Sequence, residues 1–133
     1  MINFLRLPGF AILSVLLLSC ESDIRMNDLI DRNASLTLTI LHLNEKVAEA
    51  EAMEIKVDSK KHKQFMDWMD ENTSGWITTP ATFVTDVIIT QSNFRLQYDP
   101  KGYVVLSFYD RETDAQQYQK MVKQGELDFL LTK

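Results

Sequence analysis

The chain has 133 residues, of which 45% are hydrophobic and 25% are charged. This mixture is typical of one globular domain and excludes an intrinsically disordered chain. The 14 basic and 19 acidic residues leave a net charge of −5, which argues against nucleic acid as a partner because such binding needs a basic surface. The charge suits a basic protein partner, although solubility alone accounts for it.

The first 20 residues read MINFLRLPGFAILSVLLLSC. Arg6 precedes an apolar run from Leu7 to Leu18, which is too short to span a bilayer because a spanning helix needs about 20 residues. The run has the length of the apolar core of a secretory signal. The alternative is a buried N-terminal helix, but Pro8-Gly9 and the abrupt change to polar residues after Cys20 argue against it.

The end of this run, Leu17-Leu18-Ser19-Cys20, resembles the lipobox of bacterial lipoproteins, and Cys20 is the single cysteine of the chain. The resemblance covers residues 1–20 alone. It implies that residues 1–19 are a signal peptide, that the Cys20 thiol receives a diacylglycerol, and that the new amine is acylated. A diacylglycerol together with an acylated amine provides more than one lipid chain, and more than one chain holds a protein firmly on a membrane. The resemblance therefore predicts an envelope protein that faces the periplasm, and Glu21 in place of aspartate favours the outer membrane.

Residues 20–33 are polar with scattered apolar side chains, and we interpret them as a tether. Residues 34–133 then form a single domain. Its chain has no further cysteine, so the fold must be stable without disulfides.

Two predicted strands open the domain. Apolar residues alternate in Ser35–Leu43, and the phase changes at Leu41 and Leu43, which suggests a bulge or a bend. Residues Val47–Val57 also alternate, although alanine and glutamate favour a helix there; we prefer a strand.

A helix is predicted from Ser59 to Asn72. Ser59 is a natural N-cap, and Phe65, Trp68 and Met69 share one face. Gly75 follows as a stop signal.

The best-defined feature is a hairpin. A strand at Asp86–Gln91 precedes two strands, Asn93–Asp99 and Tyr103–Tyr109, which are joined by the turn Asp99-Pro100-Lys101-Gly102. With this turn Tyr98 faces Val104, Leu96 faces Leu106 and Phe94 faces Phe108, so the apolar halves of both strands share one face.

A second helix is predicted at Thr113–Lys123 and a last strand at Glu126–Thr132. The predicted fold class is therefore α+β, with an antiparallel sheet of five or six strands and two helices packed on one face. Trp68, Phe94, Tyr98 and Phe108 are expected in the core.

The sequence offers no catalytic, metal-binding or cofactor-binding motif, so we expect no enzyme, no metal and no cofactor. His42 and His62 are interpreted as solvated. Asp67, Asp70 and Glu71 could pair as acid and base, but nothing apolar surrounds them to raise a pKa, so they too are interpreted as solvated.

The other face of the predicted hairpin carries Arg95, Tyr103, Val105 and Tyr109, and arginine and tyrosine are frequent at binding hot spots. We predict that these residues, with Trp76 in a loop, contact a partner. The alternative is that a helix or the first hairpin covers the face.

These observations predict a lipid-anchored envelope protein that binds another protein. An inhibitor or immunity protein against an envelope-targeting toxin or hydrolase is the leading hypothesis. The alternatives are a structural accessory lipoprotein of an envelope assembly and a hydrolase of cell wall or lipid.

Overall fold

The computed structural model describes residues 20–43, 48–109 and 115–133, so the predicted signal peptide at 1–19 lies outside it. These residues form one antiparallel sheet of eight strands and one α-helix. The strands are β1 Glu21–Ser22, β2 Leu36–Leu43, β3 Ala48–Ile55, β4 Trp76–Thr78, β5 Val87–Gln91, β6 Phe94–Asp99, β7 Tyr103–Phe108 and β8 Gln116–Met121, in the sheet order β1-β4-β8-β7-β6-β5-β2-β3. The helix α1 spans Lys60–Glu71.

The prediction of an α+β fold with five or six strands and two helices was wrong, because the protein is mostly β. Most of the predicted second helix is strand β8, which pairs with β7 on one side and with β4 on the other. Pairing on both sides satisfies the backbone groups of β8 and outweighs the helix propensity of its glutamines and lysine. The predicted last strand is instead a short 3-10 helix at Asp128–Leu130.

The segment interpreted as a tether is part of the fold. Strand β1 pairs with β4, so regular structure begins immediately after Cys20. The apolar side chains of Ile24, Met26 and Ile30 are buried in the core, and the Ile24 amide donates to the carbonyl oxygen of Thr73 at 2.7 Å. Burial of three apolar side chains holds this segment against the domain, since each contributes roughly 1.5–3 kcal/mol.

Helix α1 covers one face of the sheet. It begins as predicted, because the Ser59 hydroxyl accepts a hydrogen bond from the amide of His62 at 3.2 Å. Phe65 and Met69 are fully buried. The interpretation of His62 as solvated was wrong, since the side chain is buried and its Nε2 lies 3.4 Å from the carbonyl oxygen of Ala34.

The buried side chains on the helix-covered face of the sheet come from six strands. They are Leu36, Leu38, Ile55, Trp76, Val87, Ile89, Phe94, Leu96, Tyr98, Val104 and Leu106, with Phe108 packed at the margin. The prediction that Trp68, Phe94, Tyr98 and Phe108 belong to the core is confirmed.

The predicted β6–β7 hairpin is confirmed in register and in turn. Asp99 faces Tyr103 and Phe94 faces Phe108. The Gly102 amide donates to the carbonyl oxygen of Asp99 at 3.0 Å, and Gly102 has a φ of 126°, which few other residues adopt.

The β2–β3 hairpin has no bulge, because its eight residue pairs keep one register from Leu36–Ile55 to Leu43–Ala48. The change of phase has another cause. Strand β5 pairs with β2 along residues 37–40 alone, so the outer end of the hairpin projects beyond the sheet. Leu43 lies there and is exposed, and it points to the face opposite α1 like Leu41, whose amide still donates to the carbonyl oxygen of Asp86 at 2.7 Å.

Candidate binding groove on the polar face

We define the polar face as the side of strands β6, β7 and β8 that points away from α1. Register places a set of mainly polar side chains there, since alternate residues of a strand point to opposite sides. They are Arg95 and Gln97 on β6, Tyr103, Val105 and Ser107 on β7, and Gln117, Gln119 and Met121 on β8.

The segment Thr79–Asp86 crosses this face and is fastened to it by side-chain amides. Gln97 Nε2 donates to the carbonyl oxygen of Phe83 at 3.1 Å. Gln117 Nε2 donates to the carbonyl oxygens of Thr79 at 3.2 Å and Ala81 at 2.5 Å. The two glutamines therefore supply the hydrogen bonds that an irregular backbone would otherwise leave unmade.

Pro80 explains why this segment leaves the sheet. Strand β4 ends at Thr78, and the Thr79 amide still donates to the carbonyl oxygen of Gln117 at 3.1 Å. Proline has no amide hydrogen, so residue 80 cannot extend the ladder with β8. The chain therefore leaves the sheet after Thr78 and continues as an irregular connection to β5.

The predicted contact residues differ in their accessibility. Val105 is fully buried, and Tyr103 is half-buried with its ring 5.8 Å from the ring of Phe83. Arg95 and Tyr109 are exposed, Tyr109 to 66%. The segment Thr79–Asp86, rather than a helix or the first hairpin, therefore covers part of the face and leaves the side of Arg95 and Tyr109 open.

Trp76 lies in strand β4 and not in a loop. Its ring is fully buried on the helix-covered face, and its indole N–H donates to the carbonyl oxygen of Asn72 at 2.7 Å. Trp76 is thus a core residue in the described chain and offers no surface to a partner.

A groove of about 360 Å³ opens between the crossing segment and the exposed part of the polar face. Its walls combine a guanidinium, side-chain amides, hydroxyls and two aromatic rings. The lining residues are Thr82, Phe83, Asn93, Arg95, Gln97, Ser107, Tyr109, Ala115, Gln116 and Gln117. A second hollow of about 610 Å³ along residues 78–82 shares Thr82, Ala115, Gln116 and Gln117 with it, so the two form one continuous depression.

Among the described lining residues of this groove, Arg95 is the charged one. Its side chain stands on β6, between Thr90 of β5 and Ser107 of β7. The structure gives it no ion-pair partner among residues 20–43, 48–109 and 115–133. A guanidinium presents five N–H donors in a rigid fork, which suits a carboxylate or a pair of backbone carbonyls on a partner.

Tyr103 contacts the ring of Phe83, which lines the groove. Burial, and then the negative charge of Asp99, raise the pKa of the Tyr103 hydroxyl above its usual value. The hydroxyl therefore stays protonated at neutral pH and acts as a neutral polar group.

The remaining candidates lie elsewhere. Asp67 and Glu71 are exposed on α1, as expected, and Asp70 pairs with Arg32. His42 is exposed and lies 3.6 Å from Glu51. No group of three or more histidine, cysteine, aspartate or glutamate residues in the described parts of the chain could hold a metal ion.

Sequence reasoning did not identify Phe83, Asn93 and Gln117 as parts of the groove. Alternation along β6 places Gln97 on the same face as Arg95, whereas Gln117 lies in QQYQKM, where the sequence shows no clear alternation. Phe83 carries no such signal, because it lies in an irregular segment.

No family model, curated protein or solved structure matches this chain. The helix among the described residues is not long and apolar enough to cross a membrane.

Proposed function

We propose that this protein is a lipid-anchored bacterial envelope protein that acts by binding another protein through the groove on its polar face. The observation that carries the proposal is the exposed pair Arg95 and Tyr109 beside that groove. Exposed tyrosine and arginine next to a depression are typical of binding hot spots. The exposed side-chain amide of Asn93 in the groove adds hydrogen-bonding capacity for a peptide backbone.

The anchor is supported by the position of Cys20. The cysteine is exposed, and β1 starts at the next residue. The core residues of the described chain lie between Ile24 and Leu130, all of them after Cys20. Because no tether separates Cys20 from β1, the lipidated protein would hold the β1 edge of its sheet close to the bilayer.

The partner that we favour is an envelope-targeting toxin or hydrolase, which this protein would inhibit. The net charge of −5 suits a basic partner, and steering by opposite charge accelerates association. The second candidate is a resident component of an envelope assembly, and the same groove and anchor would serve it.

The anchor is tested by the Cys20→Ser variant. We expect the wild-type protein to partition with membranes, and the variant to remain as an uncut precursor or to lose its lipid. Metabolic labelling with a palmitate analogue measures this directly. Unchanged cleavage, labelling and membrane partition of the variant would show that Cys20 is not the anchor.

The binding function is tested by affinity capture from envelope and secreted fractions. The bait is the chain from residue 20 onward with Cys20→Ser, because a bait from Asn33 would lack the buried side chains of Ile24, Met26 and Ile30. We expect a partner that the matched Arg95→Glu bait does not retain. A toxin or hydrolase would support the inhibitor role, and resident envelope components would support the accessory role. Equal capture by both baits would exclude the groove as the contact.

A further inference from the structure

Strand β3 forms one edge of the sheet, at the opposite end from Cys20. It pairs with β2 along all eight of its residues, and no strand of the described chain lies on its other side. An edge strand presents a row of unpaired backbone N–H and C=O groups, which can pair with a strand from another chain. Seven strand spacings separate β3 from β1, which corresponds to about 34 Å at about 4.8 Å each.

Nothing in the described parts of the chain covers this edge. The side chains from Ala48 to Ala52 are all exposed. Ala48, Ala50 and Ala52 lie on one side of the strand, so an added strand would meet a surface of small residues there. Near the end of β3, a groove of about 270 Å³ lies beside Met53, Ile55 and Lys61 and could receive one apolar side chain.

The charges on β3 determine which kind of partner strand can pair with its outer edge. Glu49, Glu51 and Glu54 are its charged residues, and no basic residue occurs between Ala48 and Ile55. Among the described residues His42 lies close to one of these carboxylates, 3.6 Å from Glu51. A second copy of β3 would bring glutamates against glutamates, which is unfavourable between neighbouring strands. A lysine- or arginine-bearing strand would meet opposite charge instead.

We propose that the outer edge of β3 binds an extended, basic segment of a partner protein by strand addition. The backbone of the segment pairs with β3, its lysine or arginine side chains lie beside Glu49 and Glu51, and its small apolar side chains lie over the alanines. This surface is separate from the polar-face groove, since β2 and β5 lie between β3 and β6. It does not depend on lipidation.

The test uses a synthetic eight-residue peptide of alternating lysine and valine, with a peptide of alternating glutamate and valine as control. The protein is the chain from residue 20 with Cys20→Ser. Backbone amide shifts and hydrogen exchange are followed by NMR with and without peptide. We expect the lysine peptide to perturb and protect amides of β3, with weaker binding at high salt because the contact is ionic. The glutamate peptide should not bind.

Two double variants distinguish peptide binding at the β3 edge from non-specific attraction between opposite charges. Glu49→Lys with Glu51→Lys should weaken binding of the lysine peptide at least tenfold and allow the glutamate peptide to bind. Asp67→Lys with Glu71→Lys makes the same charge change on the exposed side of α1, and should alter affinity less than threefold. Arg95→Glu should leave peptide binding unchanged, which distinguishes this edge from the groove.

Several results would overturn the proposal. These are unchanged β3 amides at saturating peptide, shifts confined to another surface, equal binding of the two peptides, or equal losses in the two double variants. A wild-type protein that dimerises through β3 would overturn it too, because the occupant of the edge would then be a second copy.

Discussion

The two faces of the sheet use the same strands in different ways. On the helix-covered face, β6 and β7 contribute side chains such as Leu96 and Leu106, which are fully buried. On the polar face the same strands carry Arg95 and Gln97, and the cover is an irregular segment held by side-chain amides. The difference indicates that the helix-covered face supplies most of the buried apolar side chains, although Val105 is buried on the polar face as well. The polar face is therefore free to carry groups that a partner can recognise.

The largest loss of stability is expected in the adjacent pair Trp76 and Ile77, whose side chains point to opposite faces of the sheet. Trp76 is fully buried and Ile77 is 45% exposed. Trp76→Ala removes a large buried ring and leaves the carbonyl oxygen of Asn72 without its donor, so we expect a loss of about 3–5 kcal/mol in the free energy of unfolding. Ile77→Ala, as the matched control, should cost less than about 1 kcal/mol. Urea denaturation measures both, and similar losses would contradict the assignment of the two faces.

A smaller effect is expected at Tyr98, the buried tyrosine of β6. Its hydroxyl donates to Asp128 Oδ1 at 2.8 Å and accepts from the amide of Leu127 at 3.3 Å, which fastens the C-terminal segment to the core. Tyr98→Phe keeps the ring and removes both bonds, so we expect a loss of about 1–2 kcal/mol at neutral pH. No loss in urea denaturation would mean that this contact does not stabilise the fold.

Tyr98 also predicts a dependence on alkaline pH. Burial, and then the hydrogen bond to Asp128, raise the pKa of Tyr98 to about 12 from 10.0. Between these values the unfolded chain releases the proton and the folded chain keeps it, so the stability is complete below about pH 10 and falls as the pH rises to about 12. The Tyr98 contribution to this decrease is about 2–3 kcal/mol, at about 1.4 kcal/mol per pKa unit. It is measured as the difference between wild type and Tyr98→Phe, and parallel pH profiles would contradict it.

The smallest effect on stability is expected on the polar face. Arg95→Ala removes an exposed side chain that forms no ion pair with the described residues, so the free energy of unfolding should change by no more than about 0.5 kcal/mol. Thermal and urea unfolding measure this. A loss above about 1.5 kcal/mol would mean that Arg95 stabilises the fold and is not held free for a partner.

The sequence predicted best where two independent signals agreed. At the β6–β7 hairpin, the turn Asp99–Gly102 and the alternation of apolar residues require the same register, which the structure has. For strand β8, the sequence contained no two independent signals that agreed. Its sequence QQYQKM contains few apolar residues, and its pairing depends on the edge of β7 and on that of β4, which lies far away in sequence. Helix propensity therefore dominated the prediction.

The segment at 20–33 was misinterpreted for a similar reason. Its apolar residues Ile24, Met26 and Ile30 follow neither a helical nor a strand period. Each is buried because the rest of the fold provides a place for it rather than because of a local pattern; the Ile24 amide, for example, is held by the carbonyl oxygen of Thr73, just after α1.

The candidate site could be predicted in part. Register alone placed Arg95, Tyr103 and Val105 on one face, because alternate residues of a strand point the same way. Accessibility could not be predicted, since it depends on the path of Thr79–Asp86 after Pro80. That segment buries Val105 and half of Tyr103, and its edge forms the groove beside Arg95.

The most direct test of the central claim is photo-crosslinking in the living cell, with a benzoyl-phenylalanine in place of Tyr109. The control carries the same group at Gln64, an exposed residue of α1 on the other side of the sheet. If the polar-face groove is the protein-binding surface, irradiation should give a discrete adduct from position 109 that Arg95→Glu abolishes, and no such adduct from position 64. Failure of position 109 to form an adduct, or the same adduct from both positions, would contradict the claim.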